Sequence, residues 1–122
     1  MLKFFLLWLF MVPQNGYKNI DVDNFKKIAH NKNIIILDVR TDEEVKSGII
    51  KNALHINFYD ADFDKKVSRL DKSKAVYVYC KVGSRSTQAA DKLVKAGFSN
   101  VYNINGGMDA WKEKNYPTVS KK

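Results

Sequence analysis

Ile34-Ile35-Ile36-Leu37 is apolar at every position. A strand built from such a run has no face suited to water. It must be covered on both sides, which is the condition of a parallel sheet held between helices. Ala75-Val76-Tyr77-Val78-Tyr79 is the second clear strand. Shorter strands are predicted over residues 17–20, 53–57 and 101–104. Helical patterns fall between them. One starts at an Asp21 or Asp23 cap and runs to about Ala29, with Val22, Phe25, Ile28 and Ala29 on one face. A second starts at Thr41, whose spacing to Glu44 is that of a capping box, and stops at Gly48. A third covers residues 60–70, with Phe63, Val67 and Leu70 on one side. A fourth covers residues 85–96, buries Ala89, Ala90, Leu93 and Val94, and ends at Gly97. A last one covers residues 108–114 and carries Trp111, read as a packing residue. The alternation predicts an α/β domain: a central, mostly parallel sheet of about five strands with helices on both faces.

The length of 122 residues suits one domain, with 45% hydrophobic and 28% charged residues, a globular and not a disordered balance. Cys80 is the one cysteine, so an internal disulfide is excluded. His30 and His55 stand apart with no zinc-like spacing, and neither metal nor cofactor is expected. The formal charge of +8 comes mostly from scattered lysine. It reads first as solubility and second as attraction of small anions or an acidic partner protein. No dense basic run interleaved with aromatics points to nucleic acid. Lys121 and Lys122 read as a solvated tail.

Residues 4–12 form an unbroken apolar run behind Lys3. As a helix nine residues would span about 14 Å, under half of a bilayer core of roughly 30 Å. The run is read as an export signal or a short hydrophobic anchor over residues 1–15, with the folded domain over residues 16–122. No small-x-small cleavage pair follows, so an uncleaved anchor stays open, and a hydrophobic first strand or helix is the competing reading. Export implies the periplasm or cell envelope; a cytoplasmic place follows if the segment is no signal.

Ligands of open α/β sheets bind beyond the carboxyl ends of the strands. Cys80 lies at such an end, and Lys81-Val82-Gly83-Ser84 leads from it into a helix. Free N–H groups of that helix start and the positive end of its dipole then surround the sulfur. Gly83 lets the loop curl inward. Arg85 is expected to add a fixed positive charge and Lys81 a mobile one. These groups favour the thiolate, the reactive form of cysteine. The predicted site is Cys80 as nucleophile and Lys81, Val82, Gly83, Ser84, Arg85 and Ser86 as the substrate-binding cradle. A buried core cysteine is the plain alternative for an isolated Cys.

The segment Cys80-Lys81-Val82-Gly83-Ser84-Arg85-Ser86 resembles the active-site loop of the rhodanese family, Cys-x-x-Gly-x-Arg-Ser. Leu37-Asp38-Val39-Arg40 with Glu44, and Gly97-Phe98, Val101-Tyr102, Gly106-Gly107-Met108 and Ala110-Trp111, resemble further family segments. The resemblance implies a sulfurtransferase without cofactor. It would move sulfane sulfur from a donor such as thiosulfate to cyanide or a thiol through a persulfide on Cys80. Gly48-Ile49-Ile50-Lys51-Asn52-Ala53 departs from the family's Gly-His-Ile-x-Gly-Ala, read as a change in loop shape. Asp38 and Arg40 are assigned to structural pairing ahead of substrate contact. A persulfide carrier or non-catalytic binding module serving a partner protein is the alternative. A phosphatase or arsenate reductase ranks lower, because those relatives space Cys and Arg by five residues and this chain by four.

Overall fold

The computed structural model describes residues 16–121. The apolar run over residues 4–12, with its export or anchor reading, and Lys122 lie outside the described residues. Five strands, β1 (Tyr17–Ile20), β2 (Ile34–Asp38), β3 (Leu54–His55), β4 (Ala75–Tyr79) and β5 (Val101–Ile104), pair in parallel throughout in the order β1-β5-β4-β2-β3. Five helices connect or follow them: α1 (Val22–Ile28), α2 (Asp42–Val45), α3 (Phe63–Ser68), α4 (Ser84–Lys95) and α5 (Gly107–Glu113).

The pleat divides each central strand between two cores. Ile35, Leu37, Val76, Val78, Cys80 and Val101 face α3 and α4, where Phe63, Val67, Ala89, Ala90 and Leu93 cover them. Ile36, Tyr77, Tyr79 and Ile104 face α1 and α5, where Val22, Phe25, Met108 and Trp111 cover them. The all-apolar run of β2 is buried on both faces, as its composition requires. Trp111 packs in the second core and donates its indole N–H to Pro117 O at 2.8 Å.

Caps set the helix starts. Asp21 accepts from Asn24 N at 2.8 Å ahead of α1. Thr41 and Glu44 form the full capping box at α2. Three elements are shorter than the pattern predicts, and the first is the helix expected to stop at Gly48, which ends at Val45. The strand expected over residues 53–57 keeps only Leu54–His55. Ile56 N bonds Asp38 O and Phe58 N bonds Val39 O, so two residues advance against one and the ladder slips out of register. The helix expected over residues 60–70 is Phe63–Ser68. Asp60 O is taken by Phe63 N in a tight turn before it, and Arg69 N and Leu70 N close tight turns onto Lys66 O and Val67 O after it.

From β2 the chain moves outward to edge strand β3; from β4 it moves the opposite way, to β5. The carboxyl ends of adjacent β2 and β4 are therefore the switch point where an open parallel sheet leaves a crevice.

Candidate active site

Cys80 follows directly on β4, at this switch point. The chain then turns through Lys81-Val82-Gly83 into α4. Gly83 sits at φ 129° and ψ −18°, and its N–H donates to Cys80 Sγ at 3.0 Å. The Ser86 hydroxyl lies 3.5 Å from Sγ on the first turn of α4. The amides of Ser86 and Arg85, at the start of the helix, also favour the anionic sulfur. Cys80 is 0% exposed. Burial pushes its thiol up, but the Ser86 hydroxyl and the amides of Ser86, Gly83 and Arg85 outweigh it, and the thiol rests below its ordinary value. The sulfur is buried, as the plain core reading of a lone cysteine has it, yet it is solvated by the protein as an anion would be.

Gly83 is required by its backbone angle. A methyl there would meet nothing within 4 Å, so a substitution costs strain and no clash. Gly83→Ala is expected to destabilise the fold by about 1–3 kcal/mol, read from urea midpoints, and to weaken the amide bond to the sulfur. Gly107 is required by space. It sits at φ 55°, and a methyl would overlap the Cys80 carbonyl oxygen and lie 2.8 Å from Lys81 O. Next to it Met108 N donates to Cys80 O at 2.9 Å and Asp109 N to Lys81 O at 3.0 Å. The start of α5 thus holds the loop from the other side of the sheet.

The expected charges are arranged differently from the sequence reading. Arg85 does not stand as a free cation over the sulfur. It donates in a fork to Glu44, at 2.6 and 2.9 Å, across the crevice between the ends of β2 and β4. A planar guanidinium matches a carboxylate better than a lone thiolate, so Glu44 takes it. Lys81 likewise turns to Asp109 Oδ2 at 2.9 Å. The anion-stabilising groups at the sulfur are therefore N–H and O–H dipoles. Val82 and Ser84 are exposed on the loop's rim, and Ser86 is fully buried beneath it.

The Arg85 fork holds the Glu44 carboxyl down at about 2, with help from Thr41 against some burial. A carboxyl lowered in the fold contributes stability above its unfolded value near 4.3 and loses it as pH falls toward 2. Glu44→Gln is expected to flatten the acid limb of the stability profile between about pH 5 and 2, measured by urea unfolding.

Asp38 and Arg40 are buried and paired, with Arg40 Nη2 at 2.7 Å from Asp38 Oδ2. Sequence reasoning missed the Glu44–Arg85 partnership, Asp109, Gly107 and Asn103. The Gly106-Gly107 pair just after the last strand was a readable sign of close backbone approach. Asn103 alternates with Val101 toward the α4 side, so a polar residue at an inward position was also in view.

The family model described as the rhodanese-like domain matches residues 21–114. The chain is 38% identical over 92 residues to the putative sulfurtransferase YtwF of Bacillus subtilis, covering 75% of this chain and 86% of that one. It is 35% identical over 102 residues to the thiosulfate sulfurtransferase GlpE of Coxiella burnetii, covering 84% and 92%. The crystal structure of a rhodanese-related protein from Thermoplasma volcanium superposes with a TM-score of 0.76 at 28% identity, covering 86% of this chain and all of that one.

Proposed function

The chain belongs to the rhodanese family, and from that premise we propose that it is a sulfurtransferase acting through a persulfide on Cys80. The Cys80 thiolate attacks the outer sulfur of a donor such as thiosulfate. The S–S bond of the donor breaks, and sulfite leaves with its electron pair. The outer sulfur stays on Cys80 as a persulfide. A thiophilic acceptor, cyanide or a thiol, then attacks that sulfur, and the thiolate is restored as the leaving group. No general base is required, because the attacking form is the thiolate, whose share the loop donors raise. The observation that carries this reading is the sulfur's own shell: Gly83 N at 3.0 Å and Ser86 Oγ at 3.5 Å on a buried Sγ, with a thiol below its ordinary value.

That shell supports sulfur ahead of phosphate. Its donors converge on one atom, Cys80 Sγ, where a single transferred sulfur would be held, and the spacing of four residues between Cys80 and Arg85 makes a smaller ring than the five of the phosphate-handling relatives. Intact-mass analysis after thiosulfate is expected to show a gain of one sulfur atom, removed by cyanide with release of thiocyanate. A generic aryl phosphate is expected to survive. Phosphate hydrolysis without sulfur uptake would overturn the reading. A persulfide that forms but resists cyanide would identify the carrier role instead.

A further inference from the structure

Ser86 Oγ carries one proton and has two oxygen acceptors within reach, Asn103 Oδ1 at 2.6 Å and Gly83 O at 3.0 Å, while the Cys80 thiol donates to it at 3.5 Å. The shortest of these runs away from the sulfur. Asn103 stands on β5 opposite Val78 of β4, two residues short of Cys80, and only 2% of it is exposed. Its amide nitrogen is held on the far side by Asn19 Oδ1 at 3.0 Å and Asn105 Oδ1 at 3.1 Å. Those two acceptors turn the nitrogen outward and leave the carbonyl oxygen facing Ser86. The 2.6 Å separation fits O–H···O and is too short for N–H···O, which supports the same orientation. With the Ser86 proton on Asn103, the hydroxyl oxygen presents a lone pair to Sγ. That suits a neutral thiol, which can donate to it, and opposes a thiolate. For the sulfur to gain the hydroxyl as a donor, Ser86 must swing its proton away and leave a buried carbonyl oxygen without a partner.

We propose that Asn103 is a positioning residue for Cys80: it holds the Ser86 proton while the sulfur is protonated and yields it when the sulfur becomes anionic. Ser86 is then a two-position switch, and Asn103 sets its resting position. The inference rests on the Cys80 reading above, but its test does not depend on turnover. The charged groups around the loop are matched in pairs, Arg85 with Glu44, Lys81 with Asp109 and Arg40 with Asp38. All are unchanged in the variants below, so their influence on the titration cancels in the comparison.

The experiment is a pH titration of thiolate ultraviolet absorbance on the full chain, with Cys80→Ser subtracted as blank. A single cysteine makes the difference signal unambiguous, and no reagent has to reach the buried sulfur. Ser86→Ala should raise the midpoint, because the sulfur loses a donor. Asn103→Leu should lower it by about half to one pH unit: only Gly83 O then competes for the Ser86 proton, and that carbonyl keeps the Thr87 N–H when the hydroxyl turns to an anionic sulfur. The exposed Asn19 and Asn105 side chains then turn to water. In the Ser86→Ala background, Asn103→Leu should have no effect. Asn103→Asp, close to isosteric, should raise the midpoint, and by more than it does in the Ser86→Ala background, since beyond its own charge a carboxylate grips the Ser86 proton more firmly; this difference carries the test should the Leu variant not fold by circular dichroism. An unchanged or raised midpoint in Asn103→Leu, the same drop without Ser86, or a rise in Asn103→Asp that is equally large without Ser86 would each overturn the proposal. A wild-type protein that takes up no sulfur would fail the functional reading and leave this titration standing; a flat titration beside normal sulfur uptake would do the reverse.

Discussion

Cys80→Ser is expected to take up no sulfur from thiosulfate and to turn over no cyanide, while unfolding within about 1 kcal/mol of the wild type. The chemical half follows from ionisation. A thiol near its ordinary pKa of about 8.5 is already part thiolate at neutral pH, and the loop donors increase that share, whereas a serine hydroxyl stays protonated. Among the described residues no base is hydrogen-bonded to the sulfur: its partners are the Gly83 N–H and the Ser86 hydroxyl. The stability half follows from the same shell. A serine oxygen buried at this position finds the Gly83 amide and Ser86 beside it, so the substitution leaves no orphaned polar group. The two halves together separate chemistry from folding. A variant that retained the one-sulfur gain would place the persulfide elsewhere, and this chain has no second cysteine to hold it. A variant that lost activity because it had unfolded would show it by circular dichroism.

The parallel sheet was legible because β2 and β4 are buried on both faces and so carry apolar or aromatic residues almost throughout. The site was legible for a local reason: strand, cysteine, glycine loop and helix start are contiguous in sequence. What sequence did not show is what the fold brings from a distance. Glu44 reads as the end of a capping box, and it is one, but the same carboxylate also receives Arg85 from 41 residues away. Local spacing explains the first role completely and so hides the second. Lys81 meets Asp109 across 28 residues, and the start of α5 meets the Cys80 carbonyl. None of these pairings has a periodicity. The shortened β3 and α3 were misjudged for a related reason: their ends are set by single backbone bonds to Val39 O and Asp60 O, which composition does not encode.

Arg40→Met is expected to destabilise the fold by about 3–5 kcal/mol, a large share of the roughly 5–15 kcal/mol that holds an ordinary domain. Asp38 is 0% exposed, and Arg40 meets it with Nε at 3.0 and 3.1 Å and Nη2 at 2.7 Å. The same guanidinium donates to Gly48 O at 2.7 Å, the loop whose sequence departs from the family pattern. Methionine fills much of the volume but supplies no charge. It leaves the carboxylate buried with only the Arg40 backbone amide, and it strands the Gly48 carbonyl. Urea unfolding at neutral pH should show the deficit. The double variant Asp38→Leu/Arg40→Met should recover part of the loss, since a buried pair replaced whole costs less than a pair cut in half. Sulfur uptake per folded molecule decides the remaining question. If the pair only braces the crevice wall beside Cys80, uptake in the double variant should track its folded fraction. A fall well beyond that fraction would make Arg40 a substrate contact and overturn the structural assignment.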